Sequence, residues 1–188
     1  MQLLLKAPAD LLIVVELPEE LSKVHIPQHR LIHAGVGKVN TTLGLCRAIA
    51  KHRPRLVVNY GTAGSLHPNL SGLHRVPRFV QRDMDVRGLG FPLGSTPYDR
   101  IAAIEFDDQG LSGDSFVDQL PEIATDLVDM EVYALAKVCL LEKIPFECCK
   151  YISDNASAEA SSAWQEHVHQ GASAFIKKLP ELLHHYDQ

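Results

Sequence analysis

RLVVNY, Arg55 to Tyr60, runs directly into the glycine-bearing stretch GTAGS, Gly61 to Ser65. Its apolar and β-branched residues form a short run without helical spacing, as expected of a strand buried on both faces in a largely parallel sheet. LLIVVE, Leu11 to Glu16, and PFECCKYI, Pro145 to Ile152, share that character, and a shorter strand at Leu31 to Ala34 precedes another glycine turn. Helical spacing fills the gaps. Over Val39 to Lys51 the residues Val39, Leu43, Cys46 and Ala50 recur at steps of three and four and form the expected apolar face, which Arg53 and Pro54 close. Over Met130 to Glu142, Val132, Leu135, Ala136 and Cys139 align, with Asp129 as the expected cap. A third helix follows Asn155 and carries Trp164, Val168, Phe175, Ile176 and Leu179 towards a core. Strands alternating with helices predict an α/β fold: a single domain over residues 1–188, with a mixed, largely parallel central sheet flanked by helices. Pro68 to Gly113, rich in Gly, Pro and Asp, is expected to hold one or two further strands and long loops, and is a candidate lid or subunit contact.

Composition narrows the partner. With 18 Lys and Arg against 23 Asp and Glu, the net charge of −5 leaves no cationic surplus for nucleic-acid phosphates or an anionic membrane. A small molecule is the better expectation. Lys6, Pro8 and Asp10 interrupt the apolar start before a bilayer-spanning stretch can form, and no cleavage-site pattern follows, so a cytoplasmic location is expected. Cys46, Cys139, Cys148 and Cys149 lack metal-ligand spacing and read as reduced core residues, while His167 and His169, two apart, point to different sides of a helix. No metal and no cofactor are expected.

In α/β sheets ligands bind beyond the carboxyl ends of the strands. After LLIVVE comes LPEE with Glu20, after RLVVNY comes GTAGS with Thr62, and after CCKYI comes SDN with Ser153 and Asp154. Glu131 joins them if the helix it opens begins at the same edge. Acids beside hydroxyl donors, with few cations, suit a reaction through a cationic sugar better than phosphate capture. GVGK, Gly35 to Lys38, has neither the third glycine of the dinucleotide fingerprint nor P-loop spacing, and reads as a tight strand-to-helix turn.

Six segments, in this order, resemble the purine nucleoside phosphorylase and nucleosidase superfamily, and within it the methylthioadenosine/S-adenosylhomocysteine nucleosidases. They are GVGKVN (Gly35 to Asn40), VVNYGTAGSL (Val57 to Leu66), RDMDV (Arg82 to Val86), SGDSF (Ser112 to Phe116), VDMEVYALAKVC (Val128 to Cys139) and ISD (Ile152 to Asp154). The resemblance implies that Asp154 donates a proton to purine nitrogen 7 and that Glu131 hydrogen-bonds the ribose hydroxyls with Met130 packed under the sugar. It further implies that Phe116 and Val117 hold the base and that Ser153 orients Asp154. Glu20 falls where the water-activating acid should be, although the family's methionine-containing turn is absent; its plain alternative is the polar first turn of a solvated helix. Asp83 and Asp85 are assigned no chemistry.

Phosphate-using members of the superfamily typically carry an arginine two residues before the glycine of the GTAG-like turn, where this chain has Asn59, and an acid at the nucleophile position would repel phosphate. The expected activity is hydrolysis of the N-glycosidic bond of an adenine-type nucleoside, 5′-modified as in methylthioadenosine or S-adenosylhomocysteine, with futalosine-like and other purine nucleosides behind it. The alternatives are a phosphate-dependent purine nucleoside phosphorylase and a non-catalytic nucleoside-binding protein. Leu21 to Arg30 and Thr96 to Leu111 are shorter than the corresponding family segments, and RGLGFPLGSTP, Arg87 to Pro97, resembles a loop near the family's dimer contact, so a homodimer is expected.

Overall fold

The structure, a computed structural model, describes residues 10–97, 104–105, 109–112, 122–123, 125–156, 160–184 and 186. The first strands and helix are β1 (Leu11–Val15), β2 (Arg30–His33), α1 (Lys38–Lys51) and β3 (Leu56–Ser65). Four short strands follow, β4 (Leu73–Arg75), β5 (Arg78–Gln81), β6 (Ile104–Glu105) and β7 (Gln109–Ser112), where the sequence predicts one or two. The chain continues through β8 (Leu127–Asp129), α2 (Val132–Glu142), β9 (Phe146–Asp154), α3 (Ala160–His167) and α4 (Gly171–His184).

β1 pairs in parallel with β2 and β3, and β3 pairs in parallel with β9. Beyond them the sheet runs through β8, β7, β5 and β6, with antiparallel pairing at β3–β8, β4–β9 and β5–β6. The sheet is therefore mixed and largely parallel. β1 is buried on both faces as its composition requires: Leu12 and Val14 join Leu45, Ile49, Leu135 and Cys139 beneath α1 and α2, while Leu11, Ile13 and Val15 join Tyr60, Phe175 and Leu179 beneath α4. Tyr60 and Phe175 stack with ring centroids 4.5 Å apart.

Two expectations are corrected. The buried face of α1 is Thr41, Leu45 and Ile49, whereas Val39 is 78% and Leu43 47% exposed and Cys46 and Ala50 are also exposed. The helix carries apolar residues on two sides, so periodicity alone cannot say which side meets the sheet. Gly44 helps decide it, because a Cβ there would lie 3.2 Å from the Ala34 backbone; only this side lets the helix sit that close. The single helix expected after Asn155 is two, α3 and α4, separated by a turn at 168–170. Val168, Phe175 and Leu179 are buried, but Trp164 turns away from the core to line a cavity.

Candidate active site

The carboxyl ends of β1, β3, β8 and β9 surround a cavity of about 260 Å³. Glu16, Leu17 and Glu20 reach it from the turn after β1; Thr62 and Gly64 from β3; Met130 and Glu131 from the β8–α2 junction; Ser153 and Asp154 from the end of β9. Val36 and Trp164 also line the cavity. Asp154, Glu20, Glu131, Met130, Thr62 and Ser153, singled out from sequence, thus share one cavity. Phe116 and Val117 lie outside the described residues.

β3 does not end at Tyr60 in a flexible glycine turn, as the sequence suggested, but continues to Ser65. Gly61 and Gly64 are needed there because side chains crowd their backbone. A Cβ on Gly61 would sit 2.4 Å from Glu16 Oε2, 2.9 Å from Lys150 Nζ and 3.4 Å from Glu20 Oε1. One on Gly64 would sit 2.7 Å from Asp154 Oδ1, and the β3–β9 register shifts between Ala63 and Gly64, which brings Gly64 opposite Asp154. Asp154 is held from both oxygens: Ser153 Oγ donates to Oδ2 at 2.8 Å, and the Ala156 N–H donates to Oδ1 at 2.8 Å.

Glu20 is not the exposed first-turn acid of the plain alternative. It is 4% exposed, in a turn closed by its own N–H donating to the Leu17 carbonyl. Its Oε2 accepts the Leu17 N–H at 3.1 Å, and its Oε1 accepts both the Thr62 N–H and the Thr62 hydroxyl at 2.8 Å. Glu131 occupies the position that caps α2, while Asp129 fills the cap's bonding role by accepting the Val132 N–H at 2.9 Å. Glu131 Oε1 accepts the Gly37 N–H at 2.8 Å, so the GVGK turn, whose Gly37 has φ 87°, tethers the acid. Burial pushes the Glu131 carboxyl up to about 7, assisted by the negative charge of Asp129 and opposed by Lys150 and the Gly37 N–H.

Two residues here escaped the reading of motifs. Glu16 is 4% exposed; its Oε1 accepts from Asn59 Nδ2 at 2.9 Å, while its Oε2 has no hydrogen-bond partner among the described residues and stands 4.0 Å from Lys150 Nζ. Burial raises its carboxyl well above the usual range; nearby acids add to this and Lys150 opposes it. Lys150, 2% exposed, lies 2.9 Å from Asp129 Oδ2, an ion pair by distance. Burial alone would lower its ammonium, but Asp129 and Glu16 outweigh burial and hold it firmly charged. The available signal was charge placement: an acid ending the apolar run LLIVVE and a lysine inside PFECCKYI, segments that lie on either side of β3.

No protein-family model matches the chain. It is 28% identical over 210 aligned positions to the 5′-methylthioadenosine/S-adenosylhomocysteine nucleosidase of Staphylococcus haemolyticus, covering 87% of this chain and 90% of that protein. It is 29% identical over 185 positions to the enzyme of the same name from Geobacillus thermodenitrificans, covering 81% and 78%. In fold it is similar to a Helicobacter pylori nucleosidase mutant solved with 5′-methylthioadenosine in the active site, with TM-score 0.82 at 22% identity over 92% of this chain and 98% of that one. It is also similar to the futalosine hydrolase of Helicobacter pylori, with TM-score 0.81 at 22% identity over 91% and 97%. In sequence and in fold the chain is thus similar to the methylthioadenosine/S-adenosylhomocysteine nucleosidases of the nucleoside phosphorylase/nucleosidase superfamily.

Proposed function

We propose that the chain hydrolyses the N-glycosidic bond of a purine nucleoside, adenine-type and 5′-modified, with Asp154 as general acid, Glu131 as anchor of the ribose hydroxyls and Glu20 as acceptor of the water's proton. The observation that carries this is that the three carboxylates line one cavity whose described wall contains no arginine or lysine. Water attacks the anomeric carbon and gives its proton to Glu20. The glycosidic electron pair leaves with the base, and nitrogen 7 takes the proton of Asp154. Met130 lies beside Glu131 where the sugar would rest, and Ser153 fixes the Asp154 carboxyl by the 2.8 Å bond. A phosphate nucleophile would meet buried acids with no described cationic side chain on the cavity wall, which disfavours a phosphorylase. The substrates named for the relatives, methylthioadenosine and S-adenosylhomocysteine, are the first to try.

A second copy of the chain is the proposed partner. The exposed apolar stripe of α1, Val39 and Leu43, continues from Val36 at the cavity rim, and Leu89, in the loop resembling the family's dimer contact, is 71% exposed. Sedimentation at twice the chain mass checks this. The four cysteines are unbridged, in keeping with a cytoplasmic setting.

The deciding experiment is a nucleoside panel incubated with and without phosphate, with free base and sugar quantified. Base release that ignores phosphate is the expected result. Release that requires phosphate, or calorimetric binding with no product, overturns the reading.

A further inference from the structure

Trp164, the only tryptophan of the chain, stands on α3, the helix that follows the Asp154 strand, and lines the cavity with its half-buried ring. A wall needs only the ring. Yet the indole Nε1–H also donates to Thr62 Oγ1 at 2.8 Å, and the Thr62 hydroxyl stands 2.8 Å from Glu20 Oε1. An indole N–H can only donate, so the Thr62 oxygen accepts from it, and with Glu20 as a carboxylate the hydroxyl's own proton is donated to Oε1.

The Thr62 N–H also donates to Oε1 and the Leu17 N–H to Oε2, so three donors converge on the one carboxylate. An oxygen of a carboxylate offers about two acceptor directions. Oε1 is then filled, and what remains is on Oε2 of a side chain that lines the cavity. We propose that Trp164 is a positioning residue for hydrolysis: through the Thr62 hydroxyl it holds Glu20 as an acceptor-only carboxylate with one acceptor site left for the attacking water. This rests on the nucleosidase reading. It also ties the two acids together, because α3 begins at Ala160, soon after β9 ends at Asp154, and a displacement of α3 that broke the indole bond would free the Thr62 hydroxyl to turn from Glu20.

The test uses Trp164→Phe, which keeps a ring on the wall and loses the N–H, and Thr62→Val, which loses the hydroxyl at nearly constant volume. With thermal melts matching the parent, each is expected to lower kcat about tenfold, the effect of one hydrogen bond to a charged group, while Trp164→Phe leaves KM within about twofold. The double variant is expected to be no slower than Thr62→Val alone, because both changes break one relay. Thr62→Ser is expected to recover most of the kcat that Thr62→Val loses. Losses that multiply in the double variant, or a Trp164→Phe effect confined to KM, would make Trp164 a wall and nothing more. A second readout needs no turnover: with a single tryptophan, loss of the indole bond in Thr62→Val shifts the emission maximum, and an unchanged spectrum overturns the relay. If the parent protein releases no base from any nucleoside, the proposed activity fails instead, and the emission result alone decides the relay.

Discussion

Two glutamates on neighbouring parts of the sheet are equally hidden and opposite in character. Glu147, in β9 on the face covered by α4, is 5% exposed and saturated: Arg75 grips both its oxygens at 2.6 Å, and the Tyr186 hydroxyl adds a bond of 2.7 Å. Glu16, just beyond β1 on the other face, is 4% exposed and half-satisfied, in a group where Glu16, Glu20, Asp129 and Glu131 share Lys150 as the buried cation among the described residues. A buried charge with its partner in place is architecture. Buried charges that outnumber their partners store electrostatic cost, which a protein retains where a ligand or a reaction makes use of it.

The comparison can be broken at several points. The largest effect belongs to Asp154→Asn, which removes the proposed acid without emptying space: kcat is expected to fall by roughly 10²–10⁴-fold with the melting temperature little changed, and near-normal base release would remove Asp154 from the mechanism. Lys150→Met takes away the cation of the under-partnered cluster and is expected to destabilise by about 3–5 kcal/mol in urea unfolding, with Glu16→Gln added on top recovering part of the loss.

Glu131→Gln should act in the opposite sense. The folded protein holds the Glu131 proton up to about pH 7, while an unfolded glutamate releases it near 4.5, so folding takes up a proton between those values. The stability tied to that proton is present below about pH 4.5 and is lost as the pH rises through 7. At pH 8 the Gln variant is therefore expected to be more stable than the parent by on the order of 3 kcal/mol, the advantage vanishing towards pH 4.5, while base release is lost. An equal difference at both pH values would show that Glu131 is not the strained acid. The smallest change is expected from Glu147→Gln: a loss of about 1–3 kcal/mol, softened because the Arg75 side chain is 46% exposed and can turn to water, with activity kept. A selective loss of activity there would erase the distinction between the two faces.

How much of this was legible beforehand depended on the kind of signal. The strands at 11–16, 55–60 and 145–152 were readable because a strand buried on both faces is largely apolar, whereas the half-buried strand at 31–34 was readable from its place before a glycine turn. The α1 face was misread because Val39, Leu43, Cys46 and Ala50 obey the same spacing as Thr41, Leu45 and Ile49 on the opposite side, and a period says nothing about which side is inward. Glu16 and Lys150 belong to strand segments rather than to motifs, and their meaning depends on a partner more than a hundred residues away. Trp164 looked like core because large apolar residues usually are core, and its bond to Thr62 spans 102 positions.

The sequence by itself determined the α/β class, the alternation of strands with helices, and the short segments that hold the acids, since those follow from local composition, spacing and similarity. Tertiary structure alone decided what those acids are to one another. The parallel register of β1, β3 and β9 and the bulge at Gly64 bring Glu20, Glu131 and Asp154 to one cavity, fit Glu16 and Lys150 against the bare backbone of Gly61, and draw the Trp164 indole onto Thr62. The physical reason is that electrostatic coupling and hydrogen-bond direction depend on distance and burial in three dimensions, and neither is encoded by position along the chain.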